Sequence, residues 1–205
     1  MTVRCIQWIV TTSILLLCLS MLERDAVAAK FNRMLDIGSK APAWKNLRGT
    51  DDNVHSLSDL DQAKAIVVVF TCNHCPVAQA YQKRLIELAN DYRKSGVAMV
   101  AISVSRYEAD NFESMKKRSA EMKYPFHYLQ DPTQRIGKVY GALWTPQVFL
   151  LDRKRQVVYM GAIDDSLHPE KVQKRYLRDA IDAVVSEKPV EIEETKPVGC
   201  PIDYE

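Results

Sequence analysis

Ala65-Ile66-Val67-Val68-Val69-Phe70-Thr71-Cys72-Asn73-His74-Cys75-Pro76 is the stretch on which the reading of this chain turns. Its apolar opening is rich in β-branched residues, which pack well on a pleated surface, and it reads as a buried strand. Two cysteines at C-x-x-C spacing follow at once. A helix then begins at Pro76, whose missing N–H is no loss in a first turn. Behind it Val77, Tyr81, Leu85, Leu88 and Tyr92 recur at helical spacing, with Gln79, Lys83, Glu87 and Asp91 on the other faces. This layout sets Cys72 at a strand end, close to a helix N-terminus whose unpaired N–H groups and dipole favour a thiolate. The thiolate is the attacking species in disulfide exchange, and Cys75 lies within reach to resolve a mixed disulfide.

Two other uses of the pair fare worse. A closed zinc site needs four ligands, yet no second C-x-x-C exists and His55, His127 and His168 stand singly. A c-type haem attachment needs C-x-x-C-H, and Pro76 holds the histidine position. No metal or cofactor is expected.

The remaining chain continues the pattern. Residues 97–104 form a second near-continuous apolar strand, as in a sheet buried on both faces. With the helix over about 76–94 between them, the unit is βαβ and right-handed. A helix is predicted over 109–122 with Phe112 and Met115 inward, ending before Pro125. Residues 147–151 and 156–160 flank a polar segment and read as a hairpin. A last helix is predicted over 168–185, with Val172, Tyr176, Ala180 and Ala183 on one side.

These segments, with Ala41-Pro42-Ala43-Trp44, Ser56-Leu57-Ser58-Asp59-Leu60, Tyr124-Pro125-Phe126, Tyr140-Gly141 and Thr145-Pro146-Gln147-Val148-Phe149-Leu150-Leu151-Asp152, resemble the thioredoxin-like redoxin family. That family is related to the alkyl hydroperoxide reductase/thiol-specific antioxidant group. The resemblance runs from about Ile37 to Val185. It implies an α/β, thioredoxin-like fold, a central mixed sheet with helices on both faces. It also implies Cys72 as nucleophile, Cys75 as resolving thiol, and Pro146 as a cis-proline beside them, with Thr145 and Trp144 bordering a groove for an extended substrate. From the residues alone, Pro146 reads equally as the start of a strand, where a lost donor does no harm, and Trp144 as packing.

His74 stands where strongly oxidising members of the fold carry histidine in Cys-Pro-His-Cys. An imidazole there stabilises the Cys72 thiolate and with it the reduced form. Asn73 departs from the proline of that motif, which predicts a smaller shift, and a solvated loop histidine is the alternative. Ile66, six residues before Cys72, stands where thioredoxin carries a buried aspartate, so another group must serve proton transfer.

At 205 residues and 47% hydrophobic composition, the chain can bury an ordinary core. A net charge of +2 offers nothing to nucleic acid or an acidic membrane. Arg4, an apolar stretch over about 6–22 and Ala26-Val27-Ala28 form the pattern of a signal peptide over 1–28, with an uncleaved anchor as alternative. Cleavage before Ala29 removes Cys5 and Cys18 and leaves Cys72, Cys75 and Cys200. The expected organisation is therefore a signal peptide, a thioredoxin-like domain over 29–186 and a tail over 187–205. Pro189, Pro197 and Pro201 keep that tail from forming a helix, and Glu191, Glu193 and Glu194 keep it wet. Val190 and Ile192 allow a short edge strand. Cys200 is either a free thiol on a loose tail or a third redox thiol that folds back, Gly199 letting the backbone turn beside it.

The expectation is an exported thiol–disulfide oxidoreductase of the periplasm or cell-envelope exterior. Its partners would be cysteine-containing exported proteins or a membrane electron donor. It would meet no nucleic acid, and a membrane only through its N-terminal segment. A peroxiredoxin-like peroxidase is the alternative, but its P-x-x-x-T-x-x-C pattern fails, since Ala65 and Val69 hold the Pro and Thr positions before Cys72. A metal-delivery protein using the dithiol is the third reading; related copper-assembly proteins space their cysteines C-x-x-x-C.

Overall fold

The computed structural model describes residues 28–205, so the signal-peptide reading falls almost wholly outside the described residues. In chain order the elements are β1 (Leu47–Gly49), β2 (Val54–His55), β3 (Ala65–Phe70), α1 (Pro76–Tyr92), β4 (Val97–Ser103), α2 (Phe112–Met122), β5 (His127–Gln130), α3 (Arg135–Tyr140), β6 (Trp144–Thr145), β7 (Gln147–Leu151), β8 (Val157–Gly161), α4 (Tyr176–Val185) and β9 (Cys200–Pro201).

Seven strands form a mixed sheet in the order β2-β1-β5-β4-β3-β7-β8. β3, β4 and β5 run parallel. β7 lies antiparallel between β3 and β8, and β1 pairs antiparallel with β5 and β2. β3 is central and every one of its residues is buried, which is why it reads as a continuous apolar run instead of an alternating one. Ile66, Val68 and Phe70 pack on one face with Trp44, Ile102, Tyr140 and Phe149. Val67 and Val69 pack on the other with Tyr81, Leu85 and Leu88 of α1 and Leu177 and Ile181 of α4. Met115 of α2 meets Ala101 and Tyr128. This is the thioredoxin-like arrangement the resemblance implies.

Two helix boundaries differ from expectation. Residues 108–110 make a separate 3-10 turn, and Asn111 then caps α2 by accepting from the Ser114 N–H at 2.8 Å. The last helix begins at Tyr176, not His168, and buries Leu177, Ala180 and Ile181 in place of the face built on Val172, Tyr176 and Ala183. The backbone of 173–177 is captured first by the loop after β8. Asp165 N–H donates to Lys174 O at 3.2 Å, Gln173 N–H to the Asp165 carboxylate at 3.0 Å, and Leu177 N–H to Ile163 O at 3.0 Å. Tertiary pairing here outweighs helix propensity.

The tail is not loose, although much of it, Glu191 included, stays exposed. Val190 is buried, and the Glu194 carboxylate accepts from the backbone N–H groups of Lys30, Phe31 and Asn32. Thr195 N–H donates to Met160 O at 3.0 Å, so the tail runs along the free edge of β8. The short strand forms at Cys200–Pro201 and not around Val190 and Ile192. Beyond it, Ile202 N–H donates to Leu143 O at 2.9 Å and Tyr204 Oη to Ala142 O at 2.7 Å. Thr195 Oγ1 accepts from Ala162 N–H at 2.9 Å and bonds the buried Tyr159 hydroxyl at 2.8 Å. Tyr159 donates its single hydrogen to Ala162 O at 2.6 Å, so the threonine is the donor to the phenol. Thr195→Val strands the Ala162 N–H, and urea denaturation is expected to show a loss of about 1–3 kcal/mol. An unchanged midpoint would show that the tail adds nothing to stability at this point.

Candidate active site

β3 delivers Thr71 and Cys72 to its C-terminal end, and Cys75 occupies the N-cap of α1, with Pro76 at the first helical position. The helix terminus therefore serves Cys75 first: its Sγ accepts from Ala78 N–H at 3.4 Å. Facing both cysteines is the loop between β6 and β7, where the Thr145–Pro146 bond is cis, as the resemblance implies. Cys72 Sγ lies 3.4 Å from Thr145 Oγ1, and Cys75 Sγ 3.1 Å from Thr145 O. Thr145 and Pro146 are buried and Trp144 is half-buried, its backbone N–H donating to the Gln147 side-chain carbonyl at 3.2 Å.

Cys75 is disulfide-bonded to Cys200, across 125 residues of sequence, and Cys72 is a free, buried thiol. The expected Cys72–Cys75 pair is thus open in this state, and Cys200 has folded back onto the C-x-x-C. β9 pairs antiparallel with β6, Trp144 opposite Pro201 and Thr145 opposite Cys200. The tail consequently adds a strand to the edge expected to receive an extended substrate. Gly199 lies at a bend just before β9 and also contributes space: a Cβ there would stand 2.3 Å from Thr145 O and 3.1 Å from Pro146 N.

One residue was missed. Asp110 is fully buried, 35 positions beyond Cys75, and gathers the loop between the cysteines. One carboxylate oxygen accepts from the N–H groups of Asn73 at 2.6 Å and His74 at 3.0 Å. The other accepts from Ser105 Oγ at 2.5 Å and pairs with His74 Nδ1. His74 is therefore no free loop residue; its ring also meets Tyr107 edge-on at 4.8 Å. Asn73 is fixed as well, its Oδ1 accepting from Tyr128 Oη at 3.2 Å and its carbonyl from Gln79 Nε2 at 2.7 Å. Asp110 opens no recognisable motif, so only the fold reveals it.

The electrostatics of Cys72 run against expectation. Burial pushes its thiol above the ordinary value of 9.0; the Thr145 hydroxyl pulls it down, and the Asp110 carboxylate pushes it further up. A lowered thiol is not what this state holds: burial outweighs the Thr145 hydroxyl and the backbone N–H groups of Cys75 and His74, which favour the thiolate.

Residues 37–160 match the model of the AhpC/TSA family, which is more than half the chain. The chain belongs to the AhpC/TSA family. Among solved structures it is similar to an uncharacterized conserved protein from Geobacillus kaustophilus, with 38% identity over 87% of this chain and 97% of that one, at a TM-score of 0.79. A hypothetical protein from Sinorhizobium meliloti 1021 shares 29% identity over 88% and 97% of the two chains, at a TM-score of 0.76. A structure named for the thiol:disulfide interchange protein DsbE of Chlorobium tepidum shares 25% identity over 74% and 99%, at a TM-score of 0.61. No curated protein matches the chain. Together these support redox chemistry at thiols for this AhpC/TSA member.

Among the described residues, two groups of side chains have metal-ligating atoms within 4.8 Å of one another: Cys72, His74 and Asp110, and Asp51, His55 and His127. The second shows that His55 and His127, solitary in sequence, are neighbours in space.

With the Cys75–Cys200 bond intact, the pH midpoint for alkylation of Cys72 by iodoacetamide is expected above that of an ordinary thiol. Thr145→Val, which removes the hydroxyl favouring the thiolate, should raise it further and slow alkylation about fivefold, the worth of one hydrogen bond of ~1 kcal/mol. Asp110→Asn should lower it. Opposite signs in the two variants, read by mass spectrometry of the Cys72 peptide, check the assignment; a common sign would overturn it.

Proposed function

We propose that the protein is an exported thiol–disulfide oxidoreductase that acts on cysteines of other exported proteins through three thiols, Cys72, Cys75 and Cys200. The observation that carries this reading is the Cys75–Cys200 disulfide held beside a free Cys72 at the cis Thr145–Pro146 loop. Export rests on the N-terminal sequence pattern.

Cys72, Cys75 and Cys200 pack in one cluster. In the first step the Cys72 thiolate attacks Cys75 Sγ. The Cys72–Cys75 bond forms, the Cys75–Cys200 bond breaks, and Cys200 leaves as thiolate, with no net oxidation. Released from its covalent tie, the tail can vacate the edge of β6, and an extended substrate segment takes its place. A substrate thiolate then attacks Cys72 and Cys75 leaves. A second substrate thiol displaces Cys72, so the substrate gains a disulfide and the protein holds three reduced thiols. The reverse sequence reduces a substrate. Thr145 Oγ–H, 3.4 Å from Cys72 Sγ, can donate to the thiolate at each stage where Cys72 is charged.

Acid-quenched thiol blocking and peptide mapping under graded oxidation test this. Cys75–Cys200 and Cys72–Cys75 disulfides are both expected, in a ratio that shifts with the redox buffer. Cys72→Ser should abolish exchange with substrate and freeze the Cys75–Cys200 form, while Cys200→Ser should remain active and accumulate Cys72–Cys75. Finding Cys200 unpaired at every setting would sink the three-thiol reading and leave a two-thiol enzyme.

Family membership keeps thiol peroxidase as a second reading. At the positions where that activity needs Pro and Thr, Ala65 and Val69 are buried apolar residues of β3. Reduced protein is expected to react with hydrogen peroxide no faster than a simple protein thiol in stopped-flow measurements. Rates of a dedicated peroxidase would favour the second reading.

A further inference from the structure

Asp51, His55 and His127 come from the β1–β2 turn, β2 and β5, and meet toward the β2 edge of the sheet. Asp51 Oδ2 lies 2.9 Å from His55 Nε2 and 3.5 Å from His127 Nδ1. Ligands bonded at 2.0–2.1 Å to one ion stand about 2.9 Å apart at right angles and about 3.4 Å apart in a tetrahedron. The observed separations fall in the range of ligand–ligand distances around one ion, the shorter being a His55–Asp51 hydrogen bond when no ion is bound. The imidazole rings stack at 3.9 Å between centroids, tilted by 31°.

The surroundings fix these groups. Asn53 N–H donates to Asp51 Oδ1 at 3.2 Å and helps hold the carboxylate, both of whose oxygens lie within 3.0 Å of His55 Nε2, while Oδ2 also faces His127. Gly49 makes room: a Cβ there would stand 2.5 Å from Asp51 Oδ1 and 2.8 Å from His55 Cδ2. The neighbouring Asp52 is engaged by Lys116 and does not compete. Asp51 and His127 both border a groove of about 630 Å³, which leaves the third side of the cluster accessible to water or another ligand.

We propose that Asp51, His55 and His127 form a binding site for a divalent transition-metal ion of the zinc type. The ligands are His55 Nε2, His127 Nδ1 and the Asp51 carboxylate, with open positions toward the groove. Two nitrogens and one carboxylate suit zinc and its first-row neighbours and disfavour calcium or magnesium, which take oxygen. The other cluster, Cys72 with His74 and Asp110, is a poorer candidate, because both Asp110 oxygens already accept from His74, Asn73 and Ser105.

The test titrates the full chain, Cys75–Cys200 bond intact, with Zn²⁺ against a chromophoric chelator, and repeats it with Co²⁺ for the absorption spectrum. Cys72→Ser should keep about one equivalent of bound Zn²⁺, as expected of a site without thiolate ligands. The Co²⁺ bands at that site should lack thiolate-to-metal charge transfer. His55→Ala and His127→Ala should each lose the equivalent, and Asp51→Asn should weaken it at least tenfold. Far-UV circular dichroism and unchanged disulfide exchange establish that the half-exposed His127→Ala variant is folded. Retention of the metal by both folded histidine variants, its loss in Cys72→Ser, or no binding by the unmodified chain would each overturn the proposal.

Discussion

The site depends on one approach of backbone to backbone. Gly199 passes so close to Thr145 and Pro146 that no side chain fits between them. That closeness lets β9 pair with β6 and sets Cys200 opposite Thr145, beside Cys75. Any larger residue at 199 would push the tail outward and carry Cys200 with it. A single missing methyl group therefore decides whether the third sulfur belongs to the site.

Around this crossing, the sheet and a buried charge divide the labour. β3, enclosed on both faces, aims the first cysteine from the core; Asp110 holds the short loop to the second by accepting its backbone N–H groups. The same carboxylate that orders the loop raises the proton affinity of Cys72. Order and reactivity are in tension at this residue. The helix terminus, the other source of thiolate stabilisation in the fold, faces Cys75.

What could be read from the sequence was local and periodic. The β-branched run of β3, the spacing of Tyr81, Leu85 and Leu88 and the polar break between β7 and β8 each report burial of one element's own face, and each held. What escaped depends on contacts between segments far apart in the chain. Asp110 serves residues 36 or 37 positions away, and His55 and His127 meet only because β1 inserts between β2 and β5; of Cys200, whose return was foreseen as one alternative, only the choice of Cys75 as partner went unread. Composition also misled: glutamates that suggested a solvated tail include Glu194, whose carboxylate binds three backbone N–H groups of the N-terminal segment. The helix foreseen from His168 lost its first turns to pairing with the loop at Asp165, a competition invisible to periodicity.

The Thr145 hydroxyl has a consequence of its own. It carries one hydrogen and has two oxygen or sulfur neighbours, Cys72 Sγ at 3.4 Å and the Cys200 carbonyl at 3.5 Å. While Cys72 keeps its proton, the thiol can donate to Thr145 and the hydroxyl is free to hold the tail. Once the sulfur is charged, the hydrogen turns toward it and the Cys200 carbonyl loses a donor. Proton binding at Cys72 and docking of the tail are thus thermodynamically linked, and by reciprocity a docked tail tightens the hold of Cys72 on its proton. Alkalinity therefore costs the last strand one hydrogen bond, while the Cys75–Cys200 bond still holds it.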